Sequence, residues 1–323
     1  VKNILILHTG GTISMEEDNT TGAVKVSGKH PLDNTLPSVS SLANITNEEL
    51  FKLPSPHMTP ANMLMLAKHI EKKVTQEQVE GVVITHGTDT LEETAYLLDL
   101  CLKVDIPVVV TGAMRSSNEI GSDGPYNLIS SVKVAACDTA KNKGVLVVLN
   151  DEIHTAKNVT KTHTSNVATF QSPQYGPIGL VTKRGINFHH MPINRDRYPV
   201  SHLSKNVILL KAYAGMDATT LNMLSSLAVD GVVIEALGQG NMPPATLPAI
   251  ENLLKNNVPV VLVSRCFNGI VQDIYGYEGG GRPLKKMGVI FSNGLNGQKA
   301  RLKLMVTLEL TTDHHELQEM FLK

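Results

Sequence analysis

The stretch Gly81-Val82-Val83-Ile84-Thr85-His86-Gly87-Thr88-Asp89-Thr90-Leu91-Glu92-Glu93-Thr94-Ala95 decides the fold. It opens as a short, continuous β-branched run, the kind of strand that a parallel sheet buries on both faces. It closes as a helix, because Leu91, Ala95, Leu98 and Leu102 recur on one face over 91–103. A polar corner, His86 to Thr90, joins the two. The chain repeats this strand, corner and helix. Further apolar runs predict strands over 3–8, 107–112 and 144–150, and helical spacing predicts helices over 60–73 and 125–138. Thr59-Pro60 is a helix start, with a hydroxyl cap followed by proline at the first helical position. Such alternation implies right-handed crossovers in a doubly wound sheet.

Beyond residue 150 the pattern changes. Residues 153–162 and 178–189 are short polar–apolar segments and are expected as hairpins on the edge of the first sheet. Residues 191–205 carry two prolines and charges without periodicity, as a linker does. Strands then follow over 207–211, 231–236, 258–264 and 288–291. Helices are expected over 217–228, 245–256, 297–309 and 313–322. The expected architecture is α/β. A large, mostly parallel, doubly wound N-terminal domain with an edge hairpin covers 1–190, and a smaller C-terminal α/β domain covers 206–323.

Composition narrows the function. Among 323 residues, 29 Lys and Arg offset 30 Asp and Glu, a net charge of −1 that argues against a nucleic-acid binder. Only 4% of residues are aromatic and none is Trp, which argues against stacking platforms for bases. Cys101, Cys137 and Cys266 form neither a disulfide framework nor a CxxC pair. No apolar run reaches the roughly 18 residues of a membrane span. The run Ile4 to Leu7 is shorter than the ~7–15 residues of a signal-peptide core. A cytoplasmic protein without membrane contact is therefore expected. The 12 histidines form no HExxH, and the pairs His189-His190 and His314-His315 are adjacent, a poor spacing for chelation, so no metal is expected.

Ligands of open α/β sheets bind beyond the carboxyl ends of the strands. Two polar clusters of interest stand there, and a third candidate, Lys161, lies in a later polar hairpin. Thr9-Gly10-Gly11-Thr12 fits a tight turn, an oxyanion nest beside a hydroxyl nucleophile, or a phosphate cradle. The last lacks both GxGxxG and the Lys-Ser/Thr of a P-loop. Thr88-Asp89 fits a plain helix cap, and it equally sets a hydroxyl beside a carboxylate. Glu92 and Glu93 suit a first helical turn. Lys161 fits a solvated charge. If it reaches Thr88, it can handle that hydroxyl's proton, with desolvation and the nearby Asp89 acting in opposite senses.

Taken together and in order, these clusters resemble the two signatures of bacterial-type L-asparaginases, in a short form without a signal peptide. The similarity continues through Gly112-Ala113-Met114-Arg115, Asp123-Gly124-Pro125-Tyr126-Asn127 and Val159-Thr160-Lys161-Thr162. It extends to Gly238-Gln239-Gly240-Asn241 and Asn296-Gly297-Gln298, and so spans essentially the whole chain. The resemblance implies hydrolysis of the side-chain amide of L-asparagine, with weaker glutaminase activity, no cofactor and a homo-oligomer, dimer or tetramer. It implies Thr12 as nucleophile, with Thr88, Asp89 and Lys161 as a second catalytic group. It also implies that Ser55 holds the substrate α-carboxylate, Asp89 the amine, and the backbone near Gly11 and Thr88 the oxyanion. The Ala113 carbonyl would meet the amide, and Asn241 would reach a neighbouring subunit's site.

The chain departs from the family pattern in three places. The loop 14–30 has no Tyr, and Ala23 or Val24 stands where the family's loop tyrosine falls. Pro56 replaces a common Gln at the substrate-binding position after Ser55. Ile274-Tyr275 stands where the family places a glutamate, with Glu278 slightly further on. Two other readings remain at this point: a nucleotide- or phosphate-binding module using Gly10-Gly11, and the amidase component of a tRNA-dependent amidotransferase.

Overall fold

In the computed structural model, which describes every residue except 19, 27–31, 33, 34, 194 and 323, the chain divides into two compact units, Val1–Arg197 and Tyr198–Lys323. The first unit opens with β1 (Asn3–His8), a short pair β2 (Met15–Glu17) and β3 (Val24–Val26), α1 (Leu36–Ser40) and β4 (Asn44–Glu49). It continues with α2 (Pro60–Gln76), β5 (Gly81–Thr85), α3 (Leu91–Cys101), β6 (Val108–Thr111), α4 (Gly124–Ala135) and β7 (Val145–Leu149). It ends with β8 (Glu152–Thr155), β9 (Thr160–Lys161), β10 (Phe170–Gln171), β11 (Gly179–Thr182) and β12 (Gly185–Phe188).

Among the described residues the main sheet has the order β12-β11-β8-β7-β6-β5-β1-β4. The strands from β4 to β7 are mutually parallel, and β8, β11 and β12 extend the edge antiparallel. The continuous apolar runs follow from burial on both faces. Ile4, Ile6, Val83, Val109 and Leu146 pack with Leu128 and Val132 of α4. Leu5, Leu7, Val82, Ile84 and Val110 pack with Leu66 and Ile70 of α2 and Leu98 of α3. Thr59 caps α2 as its sequence implies, its side chain accepting from the Asn62 amide at 3.2 Å.

One local expectation differs, and one strand had no counterpart in the sequence pattern. Residues 153–162 do not form one hairpin. Asn150 and Asp151, at φ 49° and 65°, make a two-residue turn that folds β8 back on β7, as left-handed Asn/Asp turns do. β9 then leaves the main sheet and, among the described residues, pairs only with β10. The edge strand β4 gave no apolar signal, because all six of its residues are exposed or half-buried. The expected hairpin over 178–189 is β11–β12, at the sheet edge.

The second unit holds β13 (Val207–Lys211), α5 (Thr219–Ser225), β14 (Gly231–Ala236), α6 (Leu247–Lys255) and β15 (Val260–Ser264). It closes with α7 (Gly281–Met287), β16 (Ile290–Phe291), α8 (Gly297–Leu308) and α9 (His314–Leu322). Its four strands run parallel in sequence order. No helix of the described residues is long and apolar enough to cross a membrane.

Candidate active site

The loops after β1, β5 and β6 leave the same edge of the sheet, and glycines let them touch. Gly11 adopts φ 86°, and a Cβ on it would lie 2.1 Å from the Gly87 Cα. A Cβ on Gly87 would lie 2.6 Å from the Ser55 Cβ. On Gly112 it would lie 2.7 Å from the His86 carbonyl oxygen and 3.2 Å from the Thr88 Cγ2. These contacts leave no room for a side chain. They set Thr12 and Thr88 one residue beyond two backbones in contact. Among the described residues, the backbone N–H groups of Gly11 and Thr88 have no acceptor within the protein.

Thr88 and Asp89 stand just before α3, and Lys161 comes to them from β9. The Lys161 Nζ donates to the Thr88 Oγ1 at 2.9 Å and to the Asp89 Oδ1 at 2.7 Å. Thr88 is buried and the Lys161 side chain 17% exposed, whereas that of Asp89 is 59% exposed and faces out. Ser55 is buried at the start of a 3-10 turn, Ser55–His57, and its Oγ accepts the Asp89 amide at 3.2 Å. The Ser55 carbonyl accepts the Thr90 hydroxyl at 2.8 Å. A cation, three hydroxyls and a carboxylate thus surround one helix start, where the dipole also favours negative charge.

Buried groups fix the loops from behind. The His8 Nδ1 lies 2.7 Å from the Thr85 Oγ1, and Thr9 donates from its amide and its hydroxyl to the Thr85 carbonyl. The His86 Nδ1 donates to the Gly87 carbonyl at 2.7 Å, because a carbonyl only accepts. Its Nε2 therefore accepts the Thr94 hydroxyl at 2.8 Å. Burial pushes the His86 imidazole down to about 4, against the smaller opposing pull of the Gly87 carbonyl, so the ring is neutral. The Asp123 carboxylate receives the amides of Met114 and Arg115, and the Asn127 Nδ2 donates to the Gly112 carbonyl at 2.9 Å. These bonds hold the backbone on either side of Ala113.

The remaining candidates fall as follows. Thr12 is half-buried and opens a 3-10 turn capped by Gly11. Pro56 is exposed beside Ser55, and Ala113 is buried between Gly112 and Met114. Asn241 belongs to the second unit, where its Oδ1 accepts the Gly281 amide at 3.2 Å. Ile274, Tyr275 and Glu278 are exposed in that unit. Of the loop 14–30, residues 19 and 27–30 lie outside the described residues, and Ala23 leads exposed into β3. Among the described residues no group of three or more His, Cys, Asp or Glu is placed to hold a metal ion. Glu92 looked like an ordinary first-turn acid. It is 4% exposed and accepts the Thr160 hydroxyl at 3.0 Å and the Lys161 amide at 3.1 Å. Nothing in its sequence position set it apart from Glu93, its neighbour in the first turn.

Two family descriptions match the chain in order. "Asparaginase, N-terminal" matches residues 3–194, and "Glutaminase/Asparaginase C-terminal domain" matches residues 206–321. A probable L-asparaginase of Deinococcus radiodurans is 40% identical over 98% of this chain and 96% of the relative. L-asparaginase 2 of Escherichia coli (strain K12) is 36% identical over 99% of this chain and 92% of its own length. The crystal structure of a probable cytoplasmic L-asparaginase from Campylobacter jejuni superposes with a TM-score of 0.90 at 36% identity, covering 100% of both chains. Matched along both halves in sequence and along its whole length in structure, the chain belongs to the asparaginase family.

Proposed function

We propose that this enzyme hydrolyses the side-chain amide of L-asparagine to L-aspartate and ammonia, with Thr12 as nucleophile and L-glutamine as a poorer substrate. The observation that carries the reading is the Lys161 ammonium bridging the Thr88 hydroxyl and the Asp89 carboxylate at the start of α3. An amide needs a nucleophile, donors for the developing oxyanion and an acid for departing ammonia. Here the Thr12 Oγ adds to the carbonyl carbon, and the C–N bond breaks. The hydroxyl proton leaves with ammonia, and an aspartyl ester remains on Thr12. Water held by Thr88, itself oriented by Lys161, then cleaves the ester and restores the Thr12 hydroxyl. The unpartnered amides of Gly11 and Thr88 receive the oxyanion.

Substrate recognition follows from the same side chains. The Ser55 Oγ already accepts an amide, so its hydroxyl proton is available to an α-carboxylate. The outward carboxylate of Asp89 suits an α-ammonium group, the Ala113 carbonyl suits the amide N–H, and Pro56 limits the pocket by shape alone. No cofactor or metal enters these steps. The reading includes a cytoplasmic homo-oligomer, dimer or tetramer, in which the partner subunit's Asn241 completes the site.

A coupled ammonia assay on L-asparagine, L-glutamine and D-asparagine tests it. The wild type is expected to prefer L-asparagine without added metal or nucleotide, and Thr12→Ala to lower turnover by at least ~10²–10³, as loss of a transition-state group does. Absence of ammonia from every substrate, or near-normal turnover by Thr12→Ala, refutes the reading. A nucleotide-binding module would give the first of these results.

A further inference from the structure

Lys161 sits on a weak element. β9 and β10 are two residues each and pair only with one another among the described residues. An isolated two-stranded ribbon is marginal by itself. The hydrogen-bond ladder of the main sheet therefore stops short of Lys161, and the packing of Val159 and Phe170 joins this ribbon to the sheet's core. Glu92 touches β9 from the first turn of α3. Its buried Oε1 accepts both the Lys161 backbone amide and the Thr160 hydroxyl. From the other side, the Ser172 Oγ lies 2.9 Å from the His154 Nδ1, and the Gln171 Nε2 donates to Glu152 at 3.1 Å, so β10 is tied to β8.

The same helix start presents Thr88 and Asp89 to the Lys161 ammonium. We propose that Glu92 is a positioning residue that locks β9 to α3, so that one helix start sets both ends of the Thr88–Lys161–Asp89 bridge. The inference rests on the proposed catalytic role of Lys161. Glu92 touches no reacting atom and acts through the strand. A carboxylate oxygen with two donors is a stronger tie than a neutral acceptor. Loss of the tie loosens a two-residue strand on its α3 side, and a misplacement of about 1 Å at a reacting centre costs about 10²-fold in rate.

The test compares kcat and KM for L-asparagine in Glu92→Ala, Glu92→Gln and Thr160→Val, each also combined with Lys161→Met. Glu92→Ala is expected to lower kcat about 10–100-fold with KM within about threefold, because substrate contacts are untouched. Glu92→Gln keeps a side-chain oxygen on β9 and is expected to recover most of that loss. Thr160→Val removes one of two ties and is expected to fall between wild type and Glu92→Ala. In the Lys161→Met background, Glu92→Ala is expected to cost nothing further, since its effect runs through Lys161. A wild-type kcat in Glu92→Ala overturns the inference, as does an equal further loss in both backgrounds. If Glu92→Ala does not fold, Thr160→Val in the two backgrounds gives the same discrimination. Near-normal turnover by Lys161→Met alone overturns the catalytic reading instead and is thus separately visible.

Discussion

His86 is a buried base beside the reacting loop, and its environment makes folding sensitive to acid. Its ordinary value of 6.5 applies to the unfolded chain, and burial lowers the folded value to about 4. Above 6.5 the ring is neutral in both states and contributes no pH dependence. As the pH falls from 6.5 towards 4, the unfolded chain binds a proton that the folded one refuses, so stability drops. The full penalty is about 3 kcal/mol below the folded value, and about 2 kcal/mol at pH ~5. Urea unfolding near pH 7 and pH 5 checks this. His86→Gln has no titrating ring, and its loss of stability between the two pH values is expected to be smaller than that of the wild type by about 2 kcal/mol. Equal losses would contradict it. Much of the site was legible at this scale. Thr12, Thr88 and Asp89 carry chemical groups just beyond strand ends, where a sheet exposes them, whereas Lys161 lies in a polar hairpin and gains meaning only by reaching Thr88. Glu92 and His86 were not legible, because a first-turn acid and a buried histidine have ordinary structural uses, and only their partners reveal another.

Elements were legible in proportion to their burial. β1, β5, β6 and β7 are apolar along their length because helices cover both faces, and each was expected within a residue or so of its ends. β4 is polar because it is an edge strand, and only its pairing with β1 makes it a strand. It is tied to α2 by Glu48, which bonds the His69 Nε2 at 2.9 Å and pairs with Lys73. Burial raises the Glu48 carboxyl, and Lys73 and His69 more than offset this, leaving it below its ordinary value. β9 and β10 are too short to carry a pattern, so their departure from the main sheet was invisible. α7 starts within Gly279-Gly280-Gly281, a composition that signals a loop. The cap of α2 gives a prediction at this scale. Thr59→Ala removes the acceptor for the Asn62 amide and is expected to cost about 1 kcal/mol of stability. Activity should remain, since the cap lies outside the site. Calorimetry with an activity check measures both, and an unchanged melting temperature would contradict the role of the cap.

Each unit builds its own sheet, mostly parallel in the first and parallel in the second, and the polar corner quoted at the outset opens on the carboxyl edge of the larger one. The near-zero net charge suits a small zwitterionic substrate, which gains little from long-range steering. The account stands or falls on the bridge between α3 and β9. The most direct measurement is ammonia release from L-asparagine by the wild type, Thr88→Ala and Lys161→Met, each verified as folded. The account predicts rapid release by the wild type and a loss of at least about 10²–10³ in each variant. Near-wild-type release by either folded variant would contradict it.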